Sequence, residues 1–266
     1  VRLPDEKIIQ AILNLSKEAG IKAKRANISI PLKYSFLTTI SLPKMSPAEL
    51  EKAIPYEIKR YIPVPVSEVI FDWQILPSFS EKPDLNNKAD VLLVAIYKDI
   101  VEKYQNIAKQ AGFDKIGFEI EVFSAMRSML YKEQRPVLVI DFGALKTKMA
   151  IVENGLFKGA YDFEKGSQDL TMSISRSLNI DFARAEIMKK DIGLSERPEH
   201  KDIFALFDPV LNFIFFEANR LITEYRRKEG VSINKAYLIG GGALLKGLDD
   251  YAINKLDDYD AKKIFF

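Results

Sequence analysis

Val139-Ile140-Asp141-Phe142-Gly143-Ala144-Leu145-Lys146-Thr147 reads as a buried strand that ends on Asp-x-Gly and turns into a hairpin. An aspartate at a strand end can hold a hydrated Mg²⁺, because that ion keeps most of its waters and takes few carboxylates. Gly143, two residues on, lets the N–H groups of the turn approach a phosphate. Outward from this stretch, the strand begins at Val137. The hairpin continues from Lys146 to Glu153, turns at Asn154-Gly155 and returns from Leu156 to Phe163. Asn-Gly between two apolar runs is the strongest short hairpin signal.

A second stretch, Tyr237-Leu238-Ile239-Gly240-Gly241-Gly242-Ala243-Leu244-Leu245-Lys246-Gly247-Leu248, puts three glycines at a strand-to-helix turn. Bare backbone at a helix N-terminus suits a flat or anionic ligand. It is not a P-loop: Leu248-Asp249 stands where Lys and Ser/Thr are needed after Gly247. Each stretch taken alone is also an ordinary strand-to-turn sequence.

Around these two, the periodicity predicts alternating helices and strands. Pro4 to Ala19 is a helix with an apolar face and a Gly20 stop. Strands follow at 27–30 and 34–42. Ser46-Pro47-Ala48-Glu49 opens a helix through a capping box with Pro at N1, and Pro55 should bend or split that helix. After Pro63 and Pro65 come a strand at 69–76, a polar loop at 78–88, a strand at 89–97, a helix at 99–111, a strand at 116–122 and a short helix at 123–131. Gln134-Arg135-Pro136 is the expected joint. The second half adds helices at 170–178, 182–190 and 204–227, a strand at 235–240 and a helix at 243–255.

Composition removes several chemistries. The 266 residues contain no cysteine and a single histidine, His200, so thiolate sites, disulfides and multi-histidine zinc sites are out. Thirty-nine basic against 37 acidic residues give a net charge of +2, too balanced for a nucleic-acid binder recognised by charge. No apolar run reaches the roughly 18 residues of a membrane span.

The two glycine-bearing stretches, in this order, resemble the phosphate-2 and adenosine motifs of the actin-like ATPase superfamily. Glu217 and Arg220, one helical turn apart, resemble the pair that flanks adenine and ribose in actin-like chaperones. The segment from Glu57 to Trp73, with Tyr61-Ile62-Pro63-Val64-Pro65 leading into Ile70-Phe71-Asp72-Trp73, resembles the inserted subdomain of the PilM family of type IV pilus assembly proteins. Gly166-Ser167-Gln168-Asp169-Leu170-Thr171 is similar to that family's Gly-Gly-x-x-Leu-Thr stretch.

The resemblance implies an α/β fold of the actin-like ATPase (ribonuclease H-like) type in two lobes. Lobe one would span 1–135, with an inserted α/β subdomain at about 32–120, and lobe two 136–266. It implies an ATP site with Mg²⁺ on Asp141. Gly143, Ala144, Thr147, Gly166, Glu217, Arg220, Gly240, Gly241, Gly242 and Leu245 would surround the nucleotide, and Lys146 would add a charge beside the phosphates. The implied partner is the N-terminal cytoplasmic tail of a PilN-like inner-membrane protein, met by Tyr61, Pro63, Phe71 and Trp73. Other pilus assembly proteins and self-association are further expected contacts. The protein would be cytoplasmic, held at the inner membrane through its partner, and at most a weak ATPase.

The family's first phosphate-loop strands and its closing strand and helix are not found in the sequence, so the phosphate site is expected to be incomplete. Two other readings stay open. An FtsA-like division protein would need a terminal amphipathic helix, which Asp257-Asp258-Tyr259-Asp260 does not supply. A sugar kinase would need a catalytic aspartate and a sugar pocket, and neither is identified.

Overall fold

The computed structural model describes residues 3–77, 87–130, 133–195, 197–256 and 264–265. The chain divides into two compact units, Val1–Met129 and Leu130–Phe266. Gln134-Arg135-Pro136, expected as the joint, and Glu133 before it are tied into the second unit. Gln134 O accepts from Asn154 N at 3.1 Å, and Lys235 Nζ donates to Glu133 at 2.6 Å.

In the first unit, α1 (Asp5–Glu18) precedes β1 (Arg25–Ile30), which pairs in parallel with β5 (Lys115–Ile120). Everything between those strands is an insertion in sequence. β2 (Ser35–Pro43), α2 (Pro47–Tyr61), β3 (Val69–Ile75) and β4 (Lys88–Tyr97) form an antiparallel sheet, ordered β2-β4-β3, with a helix on one face. Period-2 alternation sends Ile40, Leu42, Val69, Val91, Leu93 and Ala95 to that face, where Leu50, Ile54 and Ile58 of α2 meet them. The inserted layer ends at Tyr97 rather than near residue 120: α3 (Lys98–Gln110) returns to α1, and β5 joins β1. The strand at β5 also stops earlier than its apolar run, because α4 (Glu121–Met129) begins at once.

Two helix expectations resolve differently. The capping box of α2 is present, with Ser46 and Glu49 bonded reciprocally. Pro55 does not split this helix, which runs unbroken from Pro47 to Tyr61. One backbone bond is lost there, while buried Leu50, Ile54 and Ile58 hold the turns on both sides. Most of the expected polar loop at 78–88, and Asp257-Asp258-Tyr259-Asp260, lie outside the described residues.

The second unit is a mixed five-stranded sheet of order β10-β9-β6-β7-β8: β6 (Val137–Phe142), β7 (Thr147–Glu153), β8 (Leu156–Phe163), β9 (Ala236–Ile239) and β10 (Ile264–Phe265). Asn154 (φ 53°) and Gly155 (φ 72°) make the expected tight hairpin turn, since both central residues must be left-handed. α5 (Ser167–Leu178), α6 (Phe182–Ile192), α7 (Lys201–Glu229) and α8 (Leu248–Lys255) complete the unit. Its core joins Leu138, Ile140, Phe142 and Met149 of the sheet to Leu170, Ile174, Phe207, Leu211 and Phe215 of the helices. The short β10, parallel to β9, was not anticipated.

The helix expected at 243–255 is interrupted. A 3-10 turn covers Gly241–Leu244, Leu245 is extended, and Gly247 takes φ 78° before α8 starts. The break is packed in place: Leu194 N donates to Lys246 O at 2.8 Å, and Lys246 Nζ caps Asp191 O at 2.9 Å.

Candidate functional site

β6 and β9 are parallel neighbours, so their carboxyl ends open on the same side of the sheet. Ligands of open α/β sheets collect at such ends. Asp141 is the penultimate residue of β6, and Gly240 immediately follows β9. Gly240 has φ 85°, and a Cβ there would strike the Asp141 carboxylate and lie 2.8 Å from Phe142 O. The structure thus brings the two glycine-bearing stretches into contact.

The three glycines have different tasks. Gly240 needs its positive φ and close approach. Gly242 is buried, and a Cβ would fall 2.6 Å from the Phe142 ring and from Phe142 O. Gly241 is exposed, has no positive φ, and a Cβ would meet nothing within 4 Å. Space for a ligand therefore lies at Gly241. Leu245 is a correction: it is buried in the core, because the chain is extended there and points it inward. Its neighbour Leu244 is 80% exposed beside Gly241.

At the β6 turn, Asp141 keeps partial exposure and accepts a bond from Lys148 Nζ to Oδ2 at 2.9 Å. Register puts those residues opposite each other on adjacent strands. The cation beside Asp141 is therefore Lys148. Lys146 turns instead to Asp162 (3.0 Å) and Glu164 (3.5 Å). Burial alone would lower the Lys146 pKa, but those two carboxylates outweigh it and hold it above the usual lysine value.

Gly143 and Ala144 offer their carbonyls to the first turn of α5. Ser167 N donates to Gly143 O and Gln168 N to Ala144 O, both at 2.9 Å. Those two N–H groups are consumed by the turn and do not face a ligand. Gly166 is buried under it, since a Cβ would lie 2.8 Å from Gly143 O. Thr147 is likewise a correction: it is fully buried, with its hydroxyl donating to Lys165 O at 2.8 Å. Both residues shape the turn from behind.

Glu217 and Arg220 do pair, at 2.7 Å. Arg220 stacks over the Tyr161 ring at 4.9 Å and also reaches Glu224. Tyr161 lies on β8, three strands from β9 in the sheet order, or roughly 14 Å by strand spacing. The pair's mutual bonding, Glu217 first, raises the Arg220 pKa.

A second pair with the same spacing, missed in the sequence, stands behind the turn. Lys189 of α6 is 6% exposed and donates to Glu186 (2.7 Å), Thr171 Oγ1 (3.0 Å) and Ser167 O (3.1 Å). Thr171 in turn donates to Glu186. Burial would raise the Glu186 pKa, but the bonds from Lys189 and Thr171 outweigh it and hold the carboxyl below its ordinary value. The signal was an i,i+3 acid–base pair inside the amphipathic run of α6.

The residues expected to meet a partner separate as well. Tyr61 is 47% exposed at the end of α2, and Pro63 is exposed after it. Phe71 and Trp73 share one face of β3 but pack, partly buried, against the core of the inserted layer. Tyr56, 72% exposed with Lys59 over its ring at 5.5 Å, joins Tyr61 on α2.

Among the described residues, no helix is long and apolar enough to cross a membrane, and no group of three or more His, Cys, Asp or Glu could hold a metal. The solved PilM–PilN type IV pilus biogenesis complex contains a chain 26% identical to this one, superposing with a TM-score of 0.78 over 94% of this chain and 72% of that one. The ethanolamine utilization protein EutJ of Carboxydothermus hydrogenoformans is 22% identical (TM-score 0.49, 62% and 56% covered). MreB5 of Spiroplasma citri bound to AMPPNP is 18% identical (TM-score 0.48, 64% and 60% covered). The fold is the actin-like ATPase α/β fold expected from the sequence. Residues 4–259, nearly the whole chain, match the type IV pilus assembly protein PilM, and the chain belongs to that family.

Proposed function

We propose that the chain is a nucleotide-binding scaffold of the type IV pilus assembly complex that receives the cytoplasmic tail of a PilN-like membrane protein. The observation that carries the nucleotide half is the contact between Asp141 and Gly240 at the shared carboxyl end of β6 and β9. The open space at Gly241 and exposed Leu244 suit a flat base, and a base there leaves its phosphates toward Asp141. ATP is the proposed ligand. Asp141 would hold a hydrated Mg²⁺, and Lys148 would supply positive charge beside the phosphates. Among the described residues the carboxylates around this turn are paired, Asp141 with Lys148 and Asp162 with Lys146, so the reading is one of binding rather than fast hydrolysis.

Similarity to the PilM–PilN complex supports the partner half. The exposed flank of α2, with Tyr56, Tyr61 and Pro63, offers aromatic anchors of the kind that dominate peptide interfaces. On this reading the protein sits on the cytoplasmic side of the inner membrane, held by its partner.

Calorimetry with Mg-ATP tests the first half. Asp141→Asn should weaken binding on the order of tenfold, the loss of one charged contact, with the melting transition retained. Unchanged affinity removes Asp141 from the site. Titration of a labelled PilN-type tail peptide tests the second half: Tyr61→Ala should weaken it, and binding retained after deletion of residues 34–76 overturns the docking surface.

A further inference from the structure

In the first unit, both α1 and α3 end on glycine turns, at Gly20 and Gly112, just before the two parallel strands they feed. Because β1 and β5 run in parallel, the two helix ends and the two strand starts gather at one end of the unit. Lys24 ties them together: its carbonyl accepts from Asp114 and Lys115, and its Nζ donates to Gly112 O at 3.3 Å.

That end is strongly cationic. Lys17, Lys22, Lys24, Arg25, Lys109 and Lys115 are all exposed there, against only Glu18 and Asp114, in a chain of net charge +2. Lys17 and Lys109 occupy last helical turns, where a cation stabilises the helix. Arg25 and Lys115 have no such explanation. They stand directly opposite each other on adjacent strands, an arrangement that opposes folding. Among the described residues, no ion pair takes up Lys22, Arg25 or Lys115. Apolar side chains are exposed nearby, Ile21 at 52% and Leu15 at 62%.

We propose that this end of the first unit contacts an anionic phospholipid surface directly. The cations are drawn to acidic headgroups, each adding to the attraction within a Debye length of the surface. Ile21 and Leu15 enter the boundary beneath the headgroups, as apolar residues of peripheral proteins do. Those two side chains favour a bilayer over a nucleic acid or an acidic peptide, which would use the charge and leave Ile21 bare. The contact is peripheral, goes beyond tethering through a membrane partner, and does not depend on the nucleotide site.

Flotation with phosphatidylcholine vesicles, with and without phosphatidylglycerol, tests it. The full chain should float with the anionic vesicles alone and be released by about 0.5 M salt. Arg25→Glu discriminates sharply: it replaces a like-charge pair with an opposite one, so the melting temperature should hold or rise. Adding Lys22→Glu should bring the loss of vesicle affinity to tenfold or more. Ile21→Asp should weaken flotation while leaving the salt dependence in place. Equal flotation with neutral vesicles, none with anionic ones, or affinity unchanged in the charge-reversed variant overturns the proposal. Tight binding of RNA or poly-glutamate by a chain that ignores vesicles overturns it as well.

Discussion

At the residue scale, adjacent positions of the glycine turn make opposite predictions. Gly241→Val adds a side chain to empty space at an ordinary φ, so the melting temperature should stay within a degree or two while nucleotide affinity falls. Gly242→Ala drives a methyl group into the Phe142 ring and should cost about 1–3 kcal/mol, read by urea unfolding. Lys189 gives a third case. Its ammonium is buried against Glu186, Thr171 and the Ser167 carbonyl, and Ser167 and Gln168 in turn hold the Asp141 turn through their N–H groups. Lys189→Met should destabilise the chain by about 1–3 kcal/mol, because the Ser167 carbonyl and Thr171 lose a buried charged donor while half-buried Glu186 keeps only Lys190 and Thr171. Hydrogen exchange at the Ser167 and Gln168 amides should rise at the same time. Normal protection there would separate Lys189 from the turn.

At the element scale, the start of α2 and the hairpin were readable, while α5 and α7 begin three residues before their expected starts and the break ahead of α8 was not seen. Ser46 and Glu49 announce α2, and Asn154-Gly155 announces the hairpin, because each signal is local and needs no partner. Asp181 caps α6, its side chain accepting from Arg184 N at 2.9 Å. Asp181→Ala should cost about 1 kcal/mol, and circular dichroism melts will show it. The break at Leu245 to Gly247 was illegible because its cause is remote: the Gly193-Leu194 bend packs against it. Glu217–Arg220 and Glu186–Lys189 share one spacing, and only the bonds from Lys189 to Ser167 and Thr171 tell that the second pair stands behind the Asp141 turn. Phe71 and Trp73 share one strand face, but which face α2 covers is decided by Ile40, Leu93 and Leu50 together.

At the scale of the whole chain, acid and base should both loosen the second unit through the Glu133–Lys235 pair. Burial favours a raised Glu133 pKa, but bonds from Lys235 and Tyr237 outweigh it and hold the carboxyl below 4.5. Glu186 is depressed in the same direction. Depressed carboxyls contribute stability above their unfolded pKa and lose it as pH falls through the folded one. Stability should therefore hold down to about pH 4.5 and then decline, with a shallower decline in Glu133→Gln, measured by denaturant midpoints across pH. Lys235 opposes this at the other end: burial would lower its pKa, but Glu133 and Tyr237 raise it above 10.5. That contribution is complete below 10.5 and is lost as pH rises past the folded value.

The inserted layer of the first unit carries a consequence for how such chains diversify. Ser35, where β2 begins, lies across the ladder from Ile96, near the end of β4. Antiparallel partners sit about 5 Å apart, so the layer enters and leaves through one doorway. A segment with adjoining ends can be lifted out and bridged by a few residues at little entropic expense, or replaced with another of unrelated sequence. The same doorway is a two-strand hinge. A peptide seated on α2 would act on the β1–β5 pair through two neighbouring strands, like a hand on a lever rather than a weight on a beam.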